Sequence, residues 1–335
     1  MAKTYAQAGV DVKQVRKMQT GINSALMQTK NKYTPNFIPG HYAGFFEVAK
    51  NRLTIHSDGV GSKILVAQEM NKHDTVGIDA VAMNANDLIC VGSRPIVGVD
   101  YLALSKVDEE LVNEIMRGLV DGCKESGIAL VGGETAILPD MIKSDKPSKR
   151  ADYDLAMTVV GINESEPIIG KNMREGDVLI GLESSGLHSN GFTLARKVLS
   201  SNEWGEQMLA PTRIYVDVIM DIISKSKVNG IAHITGGAFS KLARIGEHAN
   251  CGFVLDNMPK PEGIFAEIEK KVDDVKESYR TFNMGIGMVV AAPKEKESEI
   301  LSICKKHKVG ASVIGKTIRG NDVILQKDGK KLSLL

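Results

Sequence analysis

The segment from Ser57 to Asp87 joins an apolar β-type run to helical runs through a short glycine-rich turn. It begins Ser-Asp-Gly-Val-Gly-Ser-Lys over residues 57–63 and ends in Asn-Asp at Asp87. Residues 53–57 predict a strand that ends at the turn, and residues 62–70 predict a helix that begins directly after it. Short β-rich runs alternate with helical stretches in this way along the whole chain, which predicts an α/β fold.

The same segment carries the charges that a metal and a phosphate require. Asp58 lies beside Gly59 and Gly61, whose backbone can approach a ligand closely. Carboxylate oxygens hold Mg²⁺, backbone N–H groups meet phosphate oxygens, and a lysine offsets their charge. Asp79 and Asp87 follow at helical spacing on roughly one face. A solvated turn followed by a capped helix is the alternative. The combination favours a Mg²⁺-polyphosphate site, whose members are Asp58, Lys63, Asp79, Asn86 and Asp87.

Length and composition limit the other possibilities. With 335 residues the chain is too long for one ordinary domain and is expected to form two. The polar stretch Asn163-Glu-Ser-Glu-Pro167 marks the boundary, which divides the chain into residues 1–165 and 166–335. Charges are balanced, with 42 basic against 41 acidic residues and a net charge of +1. Nucleic acids and acidic membrane surfaces require concentrated basic charge, so neither partner is expected.

Cysteine spacing and hydropathy predict a soluble protein of a reducing compartment. The four cysteines, at positions 90, 123, 251 and 304, are widely spaced and form no Cys-x-x-Cys pair. Neither a zinc ribbon nor a disulfide framework is therefore expected. The N-terminus lacks an apolar signal region, and no apolar run approaches membrane-spanning length. The simplest location is the cytosol.

Three helices are predicted with defined ends. Asp74 is placed to cap a helix over residues 74–91. Residues 108–126 form a strongly amphipathic pattern with apolar side chains at helical spacing. Pro211 is expected at the first turn of a helix over residues 211–224, where its missing N–H costs nothing.

One motif is interpreted as a chance match. Residues 310–317 read Gly-Ala-Ser-Val-Ile-Gly-Lys-Thr, which fits the P-loop pattern G-x-x-x-x-G-K-[ST]. A working P-loop follows a buried strand and opens a helix, whereas here the preceding residues are helical and polar. Residues inside the motif alternate as in a strand, and a turn follows Lys316. We therefore expect a β-strand at this position.

Three further loops are candidates for binding. The Gly/Ser-rich loop over residues 184–191 carries His188, and Ser189-Asn190 leads into a helix start that suits an anion. A capping loop with an incidental histidine is the alternative, and the site is favoured. Thr235-Gly236-Gly237 could bind phosphate, although a tight strand-to-helix turn needs the same glycines. In Gly132-Gly133-Glu134, the glutamate could ligate a metal or cap the following turn.

Together and in this order, the motifs resemble the phosphoribosylformylglycinamidine cyclo-ligase family, also called aminoimidazole ribonucleotide synthetases, over nearly the whole length. Single motifs are weak, but their number and order make the resemblance specific. They begin at residues 5–11 (Tyr-Ala-Gln-Ala-Gly-Val-Asp), 58–63, 73–79, 86–88 and 130–136, and continue at residues 185–191, 209–215, 233–237 and 279–283.

The resemblance implies a two-domain ATP-binding synthetase fold of the α/β (α+β-like) class. It implies a homodimer in which the N-terminal sheets form a shared barrel, with a C-terminal α/β domain and an active cleft between domains. The implied activity is that of a ligase of purine biosynthesis. It closes the imidazole ring of formylglycinamidine ribonucleotide with ATP, giving aminoimidazole ribonucleotide, ADP and phosphate. Implied cofactors are ATP and Mg²⁺, and a monovalent cation is left open.

The resemblance also implies residue roles. Lys63 and His188 are the expected catalytic residues. Nucleotide contacts are expected from Asp58, Gly59, Gly61, Ser62, Lys63, Gly132, Gly133 and Glu134. Substrate contacts are expected from His188, Ser189, Asn190, Thr235, Gly236 and Gly237. Metal ligands are expected among Asp58, Asp79, Asp87 and Glu134.

Some positions depart from the family pattern. Residues 42–46 read Tyr-Ala-Gly-Phe-Phe where the family usually has a Gly-Gly-Phe-Gly-type loop, and Ile137 stands in place of a glutamate. No lysine among residues 15–46 clearly matches the one that the family associates with the nucleotide, so ATP contacts there are left unassigned.

Related enzymes remain alternatives. Selenophosphate synthetase needs a reactive Cys or selenocysteine near the N-terminus, and the first cysteine here is Cys90. The hydrogenase maturation protein of the superfamily needs a C-terminal cysteine, whereas this chain ends in Leu335. Thiamine monophosphate kinase is disfavoured by residues 209–215 and 279–283. A catalytically inactive regulatory homologue is the alternative from another class, and the intact acidic set disfavours it.

Overall fold

Two β-sheets organise the part of the chain that the structure describes. The structure, a computed structural model, describes residues 4, 6–10, 12–35, 41–144 and 149–335. Tyr5 and Asp11, the two ends of the first family motif, lie outside these residues. The first sheet uses strands between residues 44 and 163, and the second uses strands between residues 178 and 333. The predicted boundary near residue 165 lies between them, and the division into 1–165 and 166–335 stays a prediction.

The first sheet has the strand order β1-β2-β5-β3-β4, in which only the β3–β4 pair is parallel. Its strands are β1 (Gly44–Val48), β2 (Asn51–Gly59), β3 (Arg94–Leu104), β4 (Ala129–Ile137) and β5 (Tyr153–Asn163). The helices of this half are α1 (Val12–Leu26), α2 (Lys63–Met70), α3 (Val76–Cys90) and α4 (Glu109–Ser126).

The second sheet has the order β12-β11-β8-β10-β6-β9-β7. Its strands are β6 (Val178–Glu183), β7 (Gly230–His233), β8 (Cys251–Leu255), β9 (Ile286–Ala292), β10 (Ala311–Arg319), β11 (Val323–Lys327) and β12 (Lys330–Ser333). The helices are α5 (Phe192–Val198), α6 (Ser201–Met208), α7 (Val216–Lys225), α8 (Leu242–Gly246), α9 (Ile264–Val272), α10 (Val275–Thr281) and α11 (Glu297–Lys306). No described helix is long and apolar enough to cross a membrane.

Helix α3 is the centre of the molecule. Every residue of α3 except Ile78 is buried, because the helix packs against the first sheet, α4 and the loops of the second half. Close approach to α4 requires Gly77, where an added Cβ would lie 2.2 Å from the backbone nitrogen of Leu119. A polar helix surface buried between two halves needs partners from both, and these partners form the candidate site.

Several predicted elements are confirmed. Helix α4 begins as expected, with the Asp108 side chain accepting a hydrogen bond from the Leu111 backbone at 3.1 Å. The P-loop match lies on strand β10, where Lys316 is exposed, so its interpretation as a strand is correct. The strand β1 and the helix α1 were not predicted.

Two predicted helix starts are wrong. The first residue outside α3 is Thr75, and Asp74 makes no capping hydrogen bond to that helix. Helix α7 begins at Val216 rather than at Pro211. Residues 211–215 are not helical because α3 uses two of their backbone N–H groups: Thr212 donates to Asp79 at 2.7 Å and Tyr215 donates to Asn86 at 2.9 Å. Tertiary partners for these N–H groups replace the helical ones.

Candidate active site

The candidate site lies where α3 meets two loops of the second half. One is the loop over residues 184–191, and the other is the loop over residues 233–237. Asn190 joins them, since its Nδ2 lies 3.8 Å from Met83 Sδ on α3, and a Cβ added to Gly236 would lie 3.0 Å from its Oδ1. Three of the predicted binding segments therefore meet at one position, which we call the cleft.

Asp87, near the C-terminal end of α3, holds two histidines. His233 Nδ1 lies 2.7 Å from Asp87 Oδ1, and His56 Nε2 lies 3.4 Å from Oδ2. Burial opposes ionisation of Asp87, but the His233 hydrogen bond and the charges of His56 and Lys241 outweigh it and hold the pKa well below its usual range. Asp87 is therefore a carboxylate at neutral pH.

Neighbouring asparagines orient both histidines. Asn86 Nδ2 lies 3.5 Å from His233 Nε2, so that nitrogen accepts and Nδ1–H is left to donate to Asp87. On the other side, Asn84 Oδ1 lies 3.1 Å from His56 Nδ1, and Asn84 Nδ2 donates to the Asp58 carbonyl at 3.1 Å. The arrangement resembles a carboxylate–imidazole pair with fixed tautomer, which can take up a proton on His233 Nε2.

Asp58 is the second carboxylate of the cleft. Burial raises its pKa, and the negative charge of Asp87 raises it further. No cation forms an ion pair with Asp58 among the described residues, and its Oδ1 accepts only from the Gly59 backbone at 2.8 Å. A destabilised carboxylate beside an ionised one is the setting in which a divalent cation binds favourably, and one or two carboxylates suffice for Mg²⁺ held with phosphates.

The turn after Asp58 leaves part of its backbone available: Gly59 donates to Asp58 and Val60 donates to the Leu155 carbonyl at 3.0 Å, whereas the N–H groups of Gly61 and Ser62 have no acceptor among the described residues. Gly61 adopts φ +71° with open space around it, which favours glycine. Ser62 Oγ lies 3.3 Å from Thr193 Oγ1 at the start of α5, so the turn borders the second half of the chain. Gly59, Gly61 and Ser62 thus lie between Asp58 and the start of α5, and their contacts with a nucleotide stay a prediction.

Lys63 and Asp79 occupy a separate, buried position. Lys63 Nζ lies 2.9 and 2.8 Å from the two carboxylate oxygens of Asp79 and donates to the Ala210 carbonyl at 2.7 Å. Burial lowers the pKa of Lys63, and Asp79 opposes that effect. Asp79 and Asp87 are about 12 Å apart along the helix, too far to share one ion. The structure does not bring Asp79 to the other expected metal ligands, or Lys63 to the open cleft.

Gly132, Gly133 and Glu134 lie on strand β4, away from Asp58. Asp58, Met157, Asp100 and Gly133 align across the sheet on the face that packs on α3. Glu134 aligns with Tyr101 on the opposite, exposed face, because side chains alternate along a strand. The structure therefore separates Glu134 from the Asp58–Asp87 pair within one chain.

The loop over residues 184–191 presents two of its three predicted binding residues. His188 is fully buried, its Nε2 accepts from the Ser185 backbone at 3.3 Å, and its backbone has φ +62°. Burial, followed by the charge of His233, lowers the pKa of His188 well below its usual value, so the ring is neutral. Ser189 and Asn190 are half-buried, and Ser189 Oγ lies 3.0 Å from Thr212 Oγ1.

The loop over residues 233–237 brings a cation that sequence reasoning missed. Lys241 Nζ donates to Thr235 Oγ1, and its charge acts on both Asp87 and Asp58. His56 and His233 were also missed. His56 could have been found from its two-residue spacing to Asp58, which puts both on one strand face, and His233 stands at the head of a quoted motif. Lys241 had no local signal.

Two family models match the chain. The model described as AIR synthase related protein, N-terminal domain, matches residues 40–163, and the corresponding C-terminal domain model matches residues 174–328. The two matches correspond to the two sheets.

Full-length relatives and a solved structure extend the match. The chain is 43% identical to phosphoribosylformylglycinamidine cyclo-ligase of Methanocaldococcus jannaschii over 96% of this chain and 93% of the relative. It is 42% identical to that of Pyrococcus horikoshii over 97% and 98%. The solved structure of AaThiL complexed with AMPPCP and TMP shares the fold, with a TM-score of 0.69 over 96% of each chain at 18% identity. This chain therefore belongs to the phosphoribosylformylglycinamidine cyclo-ligase family.

Proposed function

We propose that the chain is a ligase of purine biosynthesis that uses ATP to close the imidazole ring of formylglycinamidine ribonucleotide. The products are 5-aminoimidazole ribonucleotide, ADP and phosphate. Two relatives named phosphoribosylformylglycinamidine cyclo-ligase match nearly the whole chain, at 43 and 42% identity. The structural observation that carries the proposal is the cleft in which the Asp58–Asp87 pair faces the loops of Asn190 and Thr235.

The reaction needs an activated formamide. The γ-phosphoryl of ATP forms a bond to the formyl oxygen and leaves ADP, which turns a poor leaving group into phosphate. The amidine nitrogen then attacks the formyl carbon, the C–O bond breaks, and phosphate and a proton are released. Positioning and charge compensation do most of the work in such chemistry. A site rich in carboxylates, loops and imidazoles, without a reactive thiol, suits it; all four cysteines are buried.

The acidic pair fits a metal bound with nucleotide phosphates. Asp58 and Asp87 would hold Mg²⁺, and the turn beside Asp58 would supply the backbone N–H groups of Gly61 and Ser62 to phosphate oxygens. Bound there, the ion would supply compensation for charge on the transferred phosphoryl group. AaThiL, which shares the fold, was solved with AMPPCP.

Chain residues account for the remaining steps. Asn190 and Thr235 would bind the substrate as side-chain donors, and Ser189, whose hydroxyl donates to Thr212, would bind it as an acceptor. His233, held by Asp87 at Nδ1–H, would accept the proton lost from the attacking nitrogen at Nε2, in place of its 3.5 Å contact with Asn86 Nδ2. His188, which is buried and neutral, would support the loop that presents Ser189.

The exposed face of the first sheet supports a homodimer. Ile55, Val99 and Tyr101 are on this face, and 43, 41 and 44% of their surfaces are exposed. Such a sheet face suits a second copy that would complete a shared barrel. We infer a division of labour in which residues 1–165 bind ATP and dimerise while residues 166–335 bind substrate, in a cytoplasmic enzyme without nucleic-acid or membrane partners.

A single assay tests the proposal. Purified protein is mixed with ATP, Mg²⁺ and formylglycinamidine ribonucleotide, and both ADP and the aminoimidazole product are measured. We expect equal amounts of the two products. ATP hydrolysis without aminoimidazole formation, or phosphorylation of thiamine monophosphate in a parallel reaction, would contradict the assignment, and no ATP turnover with any substrate would indicate a regulatory homologue.

A further inference from the structure

A cluster of basic side chains lies beside the Asp87–His233 pair, around the ring of Tyr42. Arg244 Cζ lies 4.9 Å from the centroid of that ring, and Lys241 Nζ lies 5.8 Å from it. The ring centroids of His41 and His248 are 6.1 Å apart at the edge of the cluster. We call these residues, His41, Tyr42, Lys241, Arg244 and His248, the Tyr42 cluster.

The positive charge of this cluster is only partly balanced by the described residues, through the charges of Asp87 and Asp58, which act on Lys241. Among them, no carboxylate forms an ion pair with Lys241 or Arg244, and Arg244 donates no hydrogen bond to any of them. Burial and then the charge of Arg244 lower the pKa of His41 to about 4. Lys241 and Arg244 repel one another, and Arg244 has no ion-pair partner among these residues, so the cluster gains stability from a bound anion.

Buried donors in the cluster also lack acceptors. Tyr42 is only 1% exposed, and its hydroxyl oxygen contacts the His233 backbone but has no described acceptor for its proton. The His41 ring is buried, and its one described polar contact is with the Ile169 backbone. Burying such groups unpaired is costly, and native proteins seldom leave them so. A buried hydroxyl proton without an acceptor, next to an arginine without an ion-pair partner, indicates a ligand rich in acceptor oxygens and negative charge.

We propose that the Tyr42 cluster binds a phosphate group of a nucleotide, with Arg244 and Lys241 as its main contacts. A guanidinium and an ammonium match phosphate oxygens, and the Tyr42 hydroxyl supplies a further donor. The charge of Lys241 acts on Asp87, Asp58 and Arg244, so a phosphate bound here would adjoin the acidic pair. The inference rests on the proposed function for its nucleotide, which supplies the phosphate either as the substrate's 5′-monoester or as part of ATP.

The first test uses inorganic phosphate as the probe, because it needs no assumption about the reaction. Thermal unfolding of the full chain is followed with increasing phosphate, against chloride at equal ionic strength. The variant is Arg244→Gln, and the matched control is Arg319→Gln. Arg319 is the last residue of β10, its side chain is 91% exposed, and it pairs with Glu175. We expect phosphate to raise the Tm of the parent and of the control, and to raise that of Arg244→Gln much less.

The second test identifies the source of the phosphate by calorimetry. ATP and formylglycinamidine ribonucleotide are titrated separately into the parent, Arg244→Gln, Arg244→Lys and Arg319→Gln. Arg244→Gln should weaken the binding of one nucleotide by about tenfold or more, and Arg244→Lys should lose less affinity for that nucleotide than Arg244→Gln does. A loss confined to the ribonucleotide assigns the site to the monoester, and a loss confined to ATP assigns it to the polyphosphate.

Defined results would overturn the inference. The site would be excluded if the Arg244→Gln and Tyr42→Phe variants fold normally and bind phosphate and both nucleotides as tightly as the parent does. Tyr42→Phe keeps the packing of the ring and serves if the arginine variant unfolds. A parent that binds phosphate through Arg244 but forms no aminoimidazole product would instead contradict the proposed function and leave the anion site in place.

Discussion

The ammonium of Lys63 lies within 3 Å of both carboxylate oxygens of Asp79, and neither side chain reaches solvent. The pair joins α2 to α3. The backbone N–H and the hydroxyl of Thr212 also donate to Asp79 Oδ1, at 2.7 and 2.6 Å. Thr212 in turn contacts Ser189, so the pair connects the first half of the chain to a predicted substrate loop. Its geometry indicates a positioning role rather than contact with ATP.

Removing one partner of this pair should therefore destabilise the protein. We expect Lys63→Met to lower the free energy of unfolding by about 3–5 kcal/mol, because Asp79 would remain buried and uncompensated. Lys63→Met combined with Asp79→Leu should cost less than the sum of the two single changes. Urea unfolding measures both, and Lys72→Met, at a surface pair with Asp74, is the control with about 1 kcal/mol or less. If Lys63→Met is as stable as the parent and raises the KM for ATP, Lys63 contacts the ATP phosphates instead.

Asp87→Asn should abolish ring closure and leave the fold intact. Asparagine keeps the shape of the side chain, but it removes the charge that faces His56, His233 and Lys241 and would bind Mg²⁺. We expect kcat to fall by about a hundredfold or more, the range seen when charge stabilisers are lost. Circular dichroism should match the parent. Near-normal turnover with unchanged Mg²⁺ dependence would remove Asp87 from the metal site.

His188 should make stability depend on pH. Its pKa is well below 6.5 in the folded protein, so the unfolded chain binds the extra proton as pH falls through about 6.5, and stability falls with it. His188→Asn removes that proton uptake, and the slope of unfolding free energy against pH below 6.5 should decrease by up to about 1.4 kcal/mol per pH unit. Urea unfolding from pH 7.5 to 5 measures the slope. An unchanged slope would mean that His188 titrates normally.

Lys316→Ala should leave activity within a few-fold of the parent. Lys316 is exposed on strand β10, whose residues pair with β6 and β8, so no helix N-terminus follows it. The ring-closure assay measures the effect. A loss of roughly a thousandfold, the scale of a lost transition-state contact, would show that a phosphate site had been misinterpreted as a strand.

Tyr101→Asp should separate the proposed dimer into monomers. The Tyr101 side chain is 44% exposed on the outer face of the first sheet. An aspartate at this position would be buried in the dimer interface without a partner for its charge. Light scattering after size exclusion measures the mass, and Tyr33→Asp, at an exposed tyrosine outside the sheet, is the control. A parent protein that is itself monomeric at micromolar concentration would exclude the homodimer.

Local patterns along the sequence were sufficient for part of the fold. The amphipathic repeat of α4, the Asp108 cap and the alternation within β10 each depend on neighbours a few residues away. The segment that begins at Pro211 shows where prediction from local patterns fails. The segment carries a helix signal, yet the backbone N–H groups of Thr212 and Tyr215 bond to side chains of α3. A long-range hydrogen bond cannot be read from local periodicity.

The candidate site divides in the same way. The sequence by itself determined which residue types are present: the carboxylates of Asp58 and Asp87, the glycine turn and the loop of Asn190. Only the tertiary structure decided which of them meet. Asp79 is neutralised by Lys63, Glu134 points to the other face of its sheet, and Lys241 arrives from a distant helix. Charge compensation acts through space over a few ångströms, so partners far apart in sequence decide whether a carboxylate binds a metal or a lysine.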